Sequence, residues 1–331
     1  MGKRKISLAL GQAVRLIRRS ERIYLATHLR PDGDALGSLL GLALALEAGG
    51  HRVARLCQHP CPENYCFLPG AAQLSPRPPD WPADLGVVLD CDGLSRVGSL
   101  TDALGALPHL IDIDHHATGQ SFGEVRVVDA SAAATSEIVY QLLLALHGPL
   151  TPDIATCLYA GVLTDTGRFS FTNTTPRSFS VAAEMIAHGA DPALVANRIY
   201  FQRSYASARL LGAALARLEL HCEGRVITSV LRLQDFADTG ALQADTEGII
   251  DRIRAVGGPL VAALFTQSEP TETRVSLRSN GQPDVSRIAL QFGGGGHAPA
   301  AGCTLETDPD TARQRLLAAI ARALQEVAGG A

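Results

Sequence analysis

Three things are missing from this sequence, and each absence excludes a class of protein. There is no surplus of positive charge: 29 lysines and arginines stand against 33 aspartates and glutamates, a formal net charge of −4 with a pI of about 6.2. A protein that coats long nucleic acid needs a basic field, so a broad non-specific duplex-binding surface is excluded. A short phosphorylated ligand held by a few arginines is not. Long apolar runs are also missing. LGSLLGLALALEAGG comes nearest and falls short of the ~20 residues needed to span a bilayer. The N-terminal MGKRKISLALGQAVRLIRRSERIYLAT is basic, but arginines interrupt each of its hydrophobic stretches and no small-residue cleavage site follows, so it does not read as a secretory signal. The expectation is a soluble cytoplasmic protein with no membrane partner. Finally, there is no disulfide framework, because the seven cysteines are odd in number and scattered, which implies reduced thiols. Cys57, His59, Cys61 and Cys66 do cluster in LCQHPCPENYC, at a spacing that matches no common zinc pairing. Loop and core cysteines are the plainer reading.

What is present is material for two cores: 331 residues, 46% of them hydrophobic. In the first half, short apolar runs at Ile23 to Thr27, His51 to Leu56, Leu85 to Cys91 and Leu110 to Asp114 alternate with helical segments such as the Leu/Ala-rich Ala35 to Ala48. That alternation predicts a mainly parallel sheet with helices on both faces, an α/β fold whose ligands sit beyond the carboxyl ends of the strands. From Ala133 to about Leu218 the pattern is helical. Strand-like alternation then restarts in RVITSVLRL, PLVAALFTQ, TRVSLRS and CTLE, which predicts a smaller mixed-sheet α/β domain. The expected organisation is a first domain over 1–190, a helical linker over 191–216 and a second domain over 217–331.

Four segments place metal-type ligands at the ends of these elements. In ATHLRPDGDALGS, His28, Asp32 and Asp34 follow the first strand on a loop that must turn back into a helix, so the three side chains can converge. A calcium EF-hand loop is excluded because Leu36 and Ala43 stand where its fifth and twelfth ligands belong. In VVLDCDGLSRVG, Asp90 closes an apolar strand and Asp92 follows. In IDIDHHATG, Asp112 and Asp114 are followed by His115 and His116. In LYAGVLTDTGRFSF, Asp165 ends an apolar helix and Arg168 follows. Taken singly, each is a turn, a cap or a surface charge. Together they put more carboxylate beside apolar strands than burial tolerates without pairing or a metal. Carboxylates with a few imidazoles suit two divalent ions and favour manganese over magnesium or calcium. Such a pair can deprotonate a water and clamp a phosphoryl oxygen, which is phosphoester hydrolysis.

HLRPDGDALGS, VVLDCDG, IDHH and GVLTDTGRF occur in the order and context of the DHH phosphoesterase superfamily, which this chain resembles over nearly its whole length. VSLRSN and VSRIALQFGGGGHAPAAGCTL resemble the DHH-associated domain of its nanoRNase/pAp phosphatase branch. The resemblance implies one metal on His28, Asp32 and Asp90, a second on Asp34, Asp90, His115 and Asp165, and a metal-activated hydroxide attacking phosphorus. It further implies that His116 contacts the scissile phosphate or protonates the leaving oxygen, with Asp114 orienting the histidines. Asp92 and Asp112 stay outside the ligand set. Arg278, Ser279, Gly294, Gly295, Gly296 and His297 are expected to hold the far end of a short nucleotide, with Arg96 and Arg168 as further substrate contacts. The glycine run follows a helical SRIALQF rather than a strand, which argues against a dinucleotide-binding fingerprint.

The implied activity is Mn-dependent hydrolysis of short single-stranded RNA or dinucleotides to mononucleotides, and of pAp to AMP. The resemblance leaves room for a homodimer. Alternatives are a cyclic-dinucleotide or pNpN phosphodiesterase, an inorganic pyrophosphatase, and a catalytically silent nucleotide-binding protein.

Overall fold

A computed structural model of the chain describes residues 3–116 and 119–329. It divides into two compact units, Met1–Gln202 and Arg203–Ala331.

The first unit runs α1 (Lys3–Arg19), β1 (Arg22–Thr27), α2 (Gly33–Ala48), β2 (Arg52–Leu56), β3 (Leu74–Ser75), β4 (Leu85–Leu89), α3 (Thr101–Gly105), β5 (Leu110–Asp114), β6 (Val125–Val128), α4 (Thr135–Leu146), α5 (Pro152–Asp165), α6 (Pro176–Ala187) and α7 (Pro192–Ala196). Its six strands lie in the order β3-β2-β1-β4-β5-β6 and every pair is parallel. Ile23 stands opposite Val53 on one side and Leu85 on the other, so β1 is central and buried on both faces. One face packs on α1, α2 and α4 through Ile17, Leu36, Leu39, Ile138 and Leu142. The other is covered by Val97, Leu100 and Leu104 against Tyr24, Ala26 and Val88. The chain leaves β1 toward β2 and returns across it to β4, and a doubly wound sheet opens a crevice at the carboxyl ends of such a reversal.

Helix α2 is buried nearly all round because it crosses α5 at very short range. A Cβ at Gly33 would lie 2.4 Å from the Thr164 hydroxyl, one at Gly37 would lie 2.4 Å from the Cys157 carbonyl, and one at Gly41 would lie 2.8 Å from the Leu158 side chain. Glycines four residues apart make one face of α2 a groove of bare backbone. The start of α2 is thereby drawn against the end of α5.

The second unit runs α8 (Tyr205–Ala216), β7 (Glu219–His221), β8 (Val226–Leu231), α9 (Leu233–Thr239), α10 (Ile249–Arg254), β9 (Val261–Glu269), β10 (Glu272–Ser279), α11 (Val285–Leu290), β11 (Gly295–His297), β12 (Ala300–Leu305) and α12 (Pro309–Gly329). Its sheet, β11-β12-β10-β9-β8-β7, is mixed: β8 and β9 are parallel and the remaining pairs antiparallel. Among the described residues no helix is long and apolar enough to cross a membrane.

Local departures from the sequence reading have physical causes. The strand expected to reach Cys91 ends at Leu89, because Asp90 turns into the left-handed region at φ 59°. β3 and β6 are two and four residues long at the sheet edges, too short for a periodic signal. Part of the glycine run, for which no strand was expected, pairs as β11 against β12.

Candidate metal centre

The carboxyl ends of β1, β4 and β5 and the ends of α2 and α5 supply one cluster. Among the described residues, three sets of donor atoms converge within 4.8 Å: His28, Asp32 and Asp90; Asp34, His115 and Asp165; and Asp90, His115 and His116. The stretch holding Cys57, His59, Cys61 and Cys66 is not among these sets, and all seven cysteines are free thiols. His59 instead accepts a hydrogen bond from Arg30 N at 3.1 Å, bracing the loop that carries His28.

Asp90 sits at the centre, 4% exposed, with His28 Nε2 3.5 Å from one oxygen and His115 Nε2 3.5 Å from the other. Both rings are oriented from behind. His28 Nδ1 donates to Leu29 O at 2.8 Å, and His115 Nδ1 lies 3.4 Å from Ala132 O. A carbonyl only accepts, so either ring, in its neutral form, would keep its proton on Nδ1 and turn the Nε2 lone pair inward, the arrangement that metal-binding histidines require. His115 Nε2 is also 3.3 Å from Asp165. Charge-assisted bonds close to about 2.7–2.9 Å, whereas these contacts are longer, a spacing compatible with donors that share a cation.

The electrostatics agree. Burial, with repulsion from Asp90 and Asp32, pushes the Asp165 carboxyl up to about 8. Burial and the charges of Asp90 and Asp165 hold Asp34 well above the ordinary carboxylate value. Asp32 is raised by crowding and by Asp90. Burial also acts on Asp90, but the His28 ring beside it and the positive charge that His28, His115 and His116 carry when protonated outweigh it and keep Asp90 below its usual value. Four carboxylates share the cluster with imidazoles as the only nearby bases in the three donor sets. A divalent cation would restore the charged form of each. The donor set fits such ions.

Asp114 stands behind this ring of donors. One of its oxygens accepts from His115 N at 2.8 Å and pairs with His116 Nδ1 at 2.7 Å. That bond, against the opposing effect of burial, raises His116 to about 9.

Two residues that the sequence did not single out anchor the centre. Thr135 N and Ser136 N, at the start of α4, donate to the two oxygens of Asp34 at 2.5 and 3.0 Å, and Thr135 Oγ1 donates to Asp90 at 2.9 Å. A helix N-terminus favours such carboxylates. The signal available in the sequence was the polar ATSE opening an otherwise apolar helix. Asp112, set aside as a bystander, lies outside all three donor sets yet is 1% exposed. It accepts from Arg126 Nε at 3.0 Å, and Arg126 reaches Ser121 Oγ at 2.6 Å. Burial raises Asp112 to about 7.

The expected substrate contacts are placed as follows. Arg96 pairs loosely with Asp92 at 3.4 Å, and its carbonyl accepts from Leu29 N, supporting the His28 loop. Arg168 is exposed just beyond Asp165. In the second unit Arg278 donates from Nε to Asp251 at 3.0 Å, and Ser279 is buried with its hydroxyl unpartnered. Gly294 and Gly296 are demanded by the β11–β12 approach: a Cβ would lie 2.2 Å from Gly302 O and 2.6 Å from Ala300 O respectively, whereas a Cβ at Gly295 would meet nothing within 4 Å. The His297 side chain lies outside the described residues.

Comparison with known proteins agrees with this architecture. Residues 22–162 match the DHH family, N-terminal domain, and residues 223–326 match the DHHA1 domain. The bifunctional oligoribonuclease and PAP phosphatase NrnA of Thermus thermophilus is 39% identical over 300 residues, covering 90% of this chain and 89% of its own. The protein of the same name from Bacillus subtilis is 28% identical over 312 residues, covering 89% and 92%. The crystal structure of an exopolyphosphatase-related protein from Bacteroides fragilis has the same fold, with a TM-score of 0.87 at 23% identity over 97% of this chain and 96% of that one. The chain belongs to the DHH family, with a DHHA1 domain in its second unit.

Proposed function

We propose that this chain is a phosphoesterase that hydrolyses short oligoribonucleotides to mononucleotides and dephosphorylates pAp to AMP. The observation that carries the reading is the pair of imidazoles, His28 and His115, each with Nδ1 turned to a carbonyl and Nε2 facing Asp90. The names of the Thermus and Bacillus relatives supply the substrate class.

His28, Asp32 and Asp90 would hold one divalent cation, and Asp34, His115, Asp165 and Asp90 a second. The mixture of imidazole and carboxylate favours manganese. When bound, such cations polarise a phosphoryl oxygen and raise the acidity of water at the site. The remaining roles fall to the chain's own groups. Asp114 fixes the His116 ring by its Nδ1, leaving Nε2 to donate to a phosphate oxygen or to the departing oxygen of the ester. Thr135 and Ser136 hold Asp34 without charge of their own. Arg168 and Arg96 neutralise phosphate near the centre. Arg278, Ser279 and the backbone of Gly294, Gly295 and Gly296 are the nucleotide contacts proposed within the second unit, and Gly295, where a Cβ would meet nothing in the protein, leaves room for a ligand to approach the backbone.

The test is product analysis with manganese and, separately, a dinucleotide RNA, pAp, cyclic di-AMP and pyrophosphate. Mononucleotides from the dinucleotide and AMP from pAp are expected. Turnover of neither would overturn the reading. Turnover of cyclic di-AMP alone, or of pyrophosphate alone, would replace it with the corresponding phosphodiesterase or pyrophosphatase.

A further inference from the structure

After Thr166 the chain runs through three left-handed residues: Gly167, Arg168 and Phe169 have φ of 53°, 61° and 62°. Only the first is glycine, so two consecutive side chains take a backbone conformation that L-residues rarely adopt. Neighbouring groups enforce it. Arg168 N donates to Leu163 O at 2.8 Å and Phe169 N to Thr166 Oγ1 at 3.1 Å, while the Phe169 ring stacks on Phe179 with centroids 5.0 Å apart. Such over-determined strain concentrates where a side chain must be aimed. Here it aims Arg168.

Among the described residues the Arg168 guanidinium makes no hydrogen bond and no ion pair, although Asp165 is three residues away. It lies over the Tyr200 ring, 4.9 Å from the centroid. Tyr200 sits on a widened turn, Asn197–Phe201, closed by Gln202 N to Asn197 O at 2.9 Å, an i→i+5 geometry frequent at functional sites. The ring is half-buried, and the charges that act on it are those of Arg168, Asp165 and Asp32. A guanidinium this near a carboxylate cluster would ordinarily pair with one of its members. Held over an aromatic ring, it keeps its N–H groups available for a two-pronged anion, and the carboxylates stay free for cations.

We propose that Arg168 and Tyr200 form a phosphate clamp beside the acidic cluster, in which the Tyr200 ring is the positioning residue and the Arg168 guanidinium receives non-bridging oxygens of a substrate phosphate. This rests on the phosphoester reading above. The ring face does the positioning, so the phenol oxygen is dispensable. Burial pushes that phenol up to about 12, so it carries no charge of its own at neutral pH.

The experiment is steady-state kinetics on pAp and a dinucleotide RNA at saturating manganese, for wild type, Tyr200→Leu, Tyr200→Phe, Arg168→Lys and the double variant Tyr200→Leu/Arg168→Lys, with thermal midpoints measured alongside. Tyr200→Leu is expected to raise KM about tenfold with kcat within about threefold, and Tyr200→Phe to restore KM to within about twofold of wild type. The double variant is expected to be no worse than Arg168→Lys alone, since both remove one clamp. An unchanged KM in Tyr200→Leu, a Tyr200→Phe as damaged as Tyr200→Leu, or additive losses in the double variant would overturn the clamp. If Tyr200→Leu fails to fold, Arg168→Lys and Tyr200→Phe still decide: an unchanged KM in the first, or a tenfold rise in the second, overturns it. Wild type that hydrolyses neither substrate defeats the phosphoester reading instead. The clamp is then read from AMP binding by calorimetry, which Tyr200→Phe must retain and Arg168→Lys must weaken.

Discussion

Gly37 packs against Cys157 so closely that a methyl group on it would lie 2.4 Å from the Cys157 carbonyl oxygen. Helices α2 and α5 therefore meet backbone to backbone, and this contact brings Asp34 at the start of one to Asp165 at the end of the other. Helix propensity alone favours alanine over glycine by about 1 kcal/mol, so the packing must outweigh it. Gly37→Ala is expected to destabilise the protein by about 1–3 kcal/mol and to weaken manganese binding. Gly212→Ala, in α8 with nothing within 4 Å of the added carbon, is expected to stabilise by about 0.5–1 kcal/mol. Urea unfolding of the two variants checks the opposite signs.

Asp114→Asn removes the charge that fixes His116. Its expected effect is a fall in kcat of about 10²- to 10⁴-fold, as when an orienting carboxylate is lost behind a catalytic histidine. Manganese stoichiometry should be unchanged, because Asp114 belongs to none of the converging donor sets. A kcat within twofold of wild type, or loss of bound manganese, would contradict this placement.

The glycines of β11 separate structure from binding. Gly296→Ala places a carbon 2.6 Å from Ala300 O at a backbone φ of 139°, so it should lower the thermal midpoint. Gly295→Ala meets nothing and should leave the midpoint unchanged while raising KM for dinucleotides. A Gly295→Ala enzyme with normal KM would remove Gly295 from the substrate contacts.

Asp235 offers a pH test remote from the metal centre. Burial works against its ionisation, but the Arg217 guanidinium and Arg232 N, which donates to the carboxyl at 2.7 Å, outweigh it and hold the carboxyl below its usual value. A depressed folded pKa contributes stability above the unfolded value of about 3.9, and that contribution disappears as pH falls through the folded value. Asp235→Asn should therefore cost about 1–2 kcal/mol between pH 5 and 7, and the gap to wild type should narrow below about pH 4. A gap that stayed the same from pH 7 down to below about pH 4 would mean the pair contributes nothing through charge.

The residues that converge at the centre were legible because the chemistry demands particular types at particular places. Few roles explain His28, Asp90, His115 and Asp165 each standing at the end of an apolar element. The residues that support them were not legible. Thr135 and Ser136 act on Asp34 through backbone N–H groups, which any sequence possesses. The glycines of α2 read only as a small-residue helix until α5 is seen lying against them. Asp112 shares the strand face of Asp114, and nothing in IDIDHH distinguishes a carboxylate buried against Arg126 from one buried against the two histidines. The glycine run shows the same limit in reverse: two of its members answer to sheet pairing, a constraint that exists only once β12 is in place.

The central claim is that the cluster around Asp90 holds two divalent cations through a shared carboxylate. Manganese titration followed by calorimetry and electron paramagnetic resonance, on wild type and Asp90→Ala, tests it most directly. Two ions per chain with a coupled manganese signal are expected for wild type, and for Asp90→Ala a loss of the coupled signal together with at least one of the ions. Two coupled ions retained in Asp90→Ala, or no manganese bound by wild type, would contradict it.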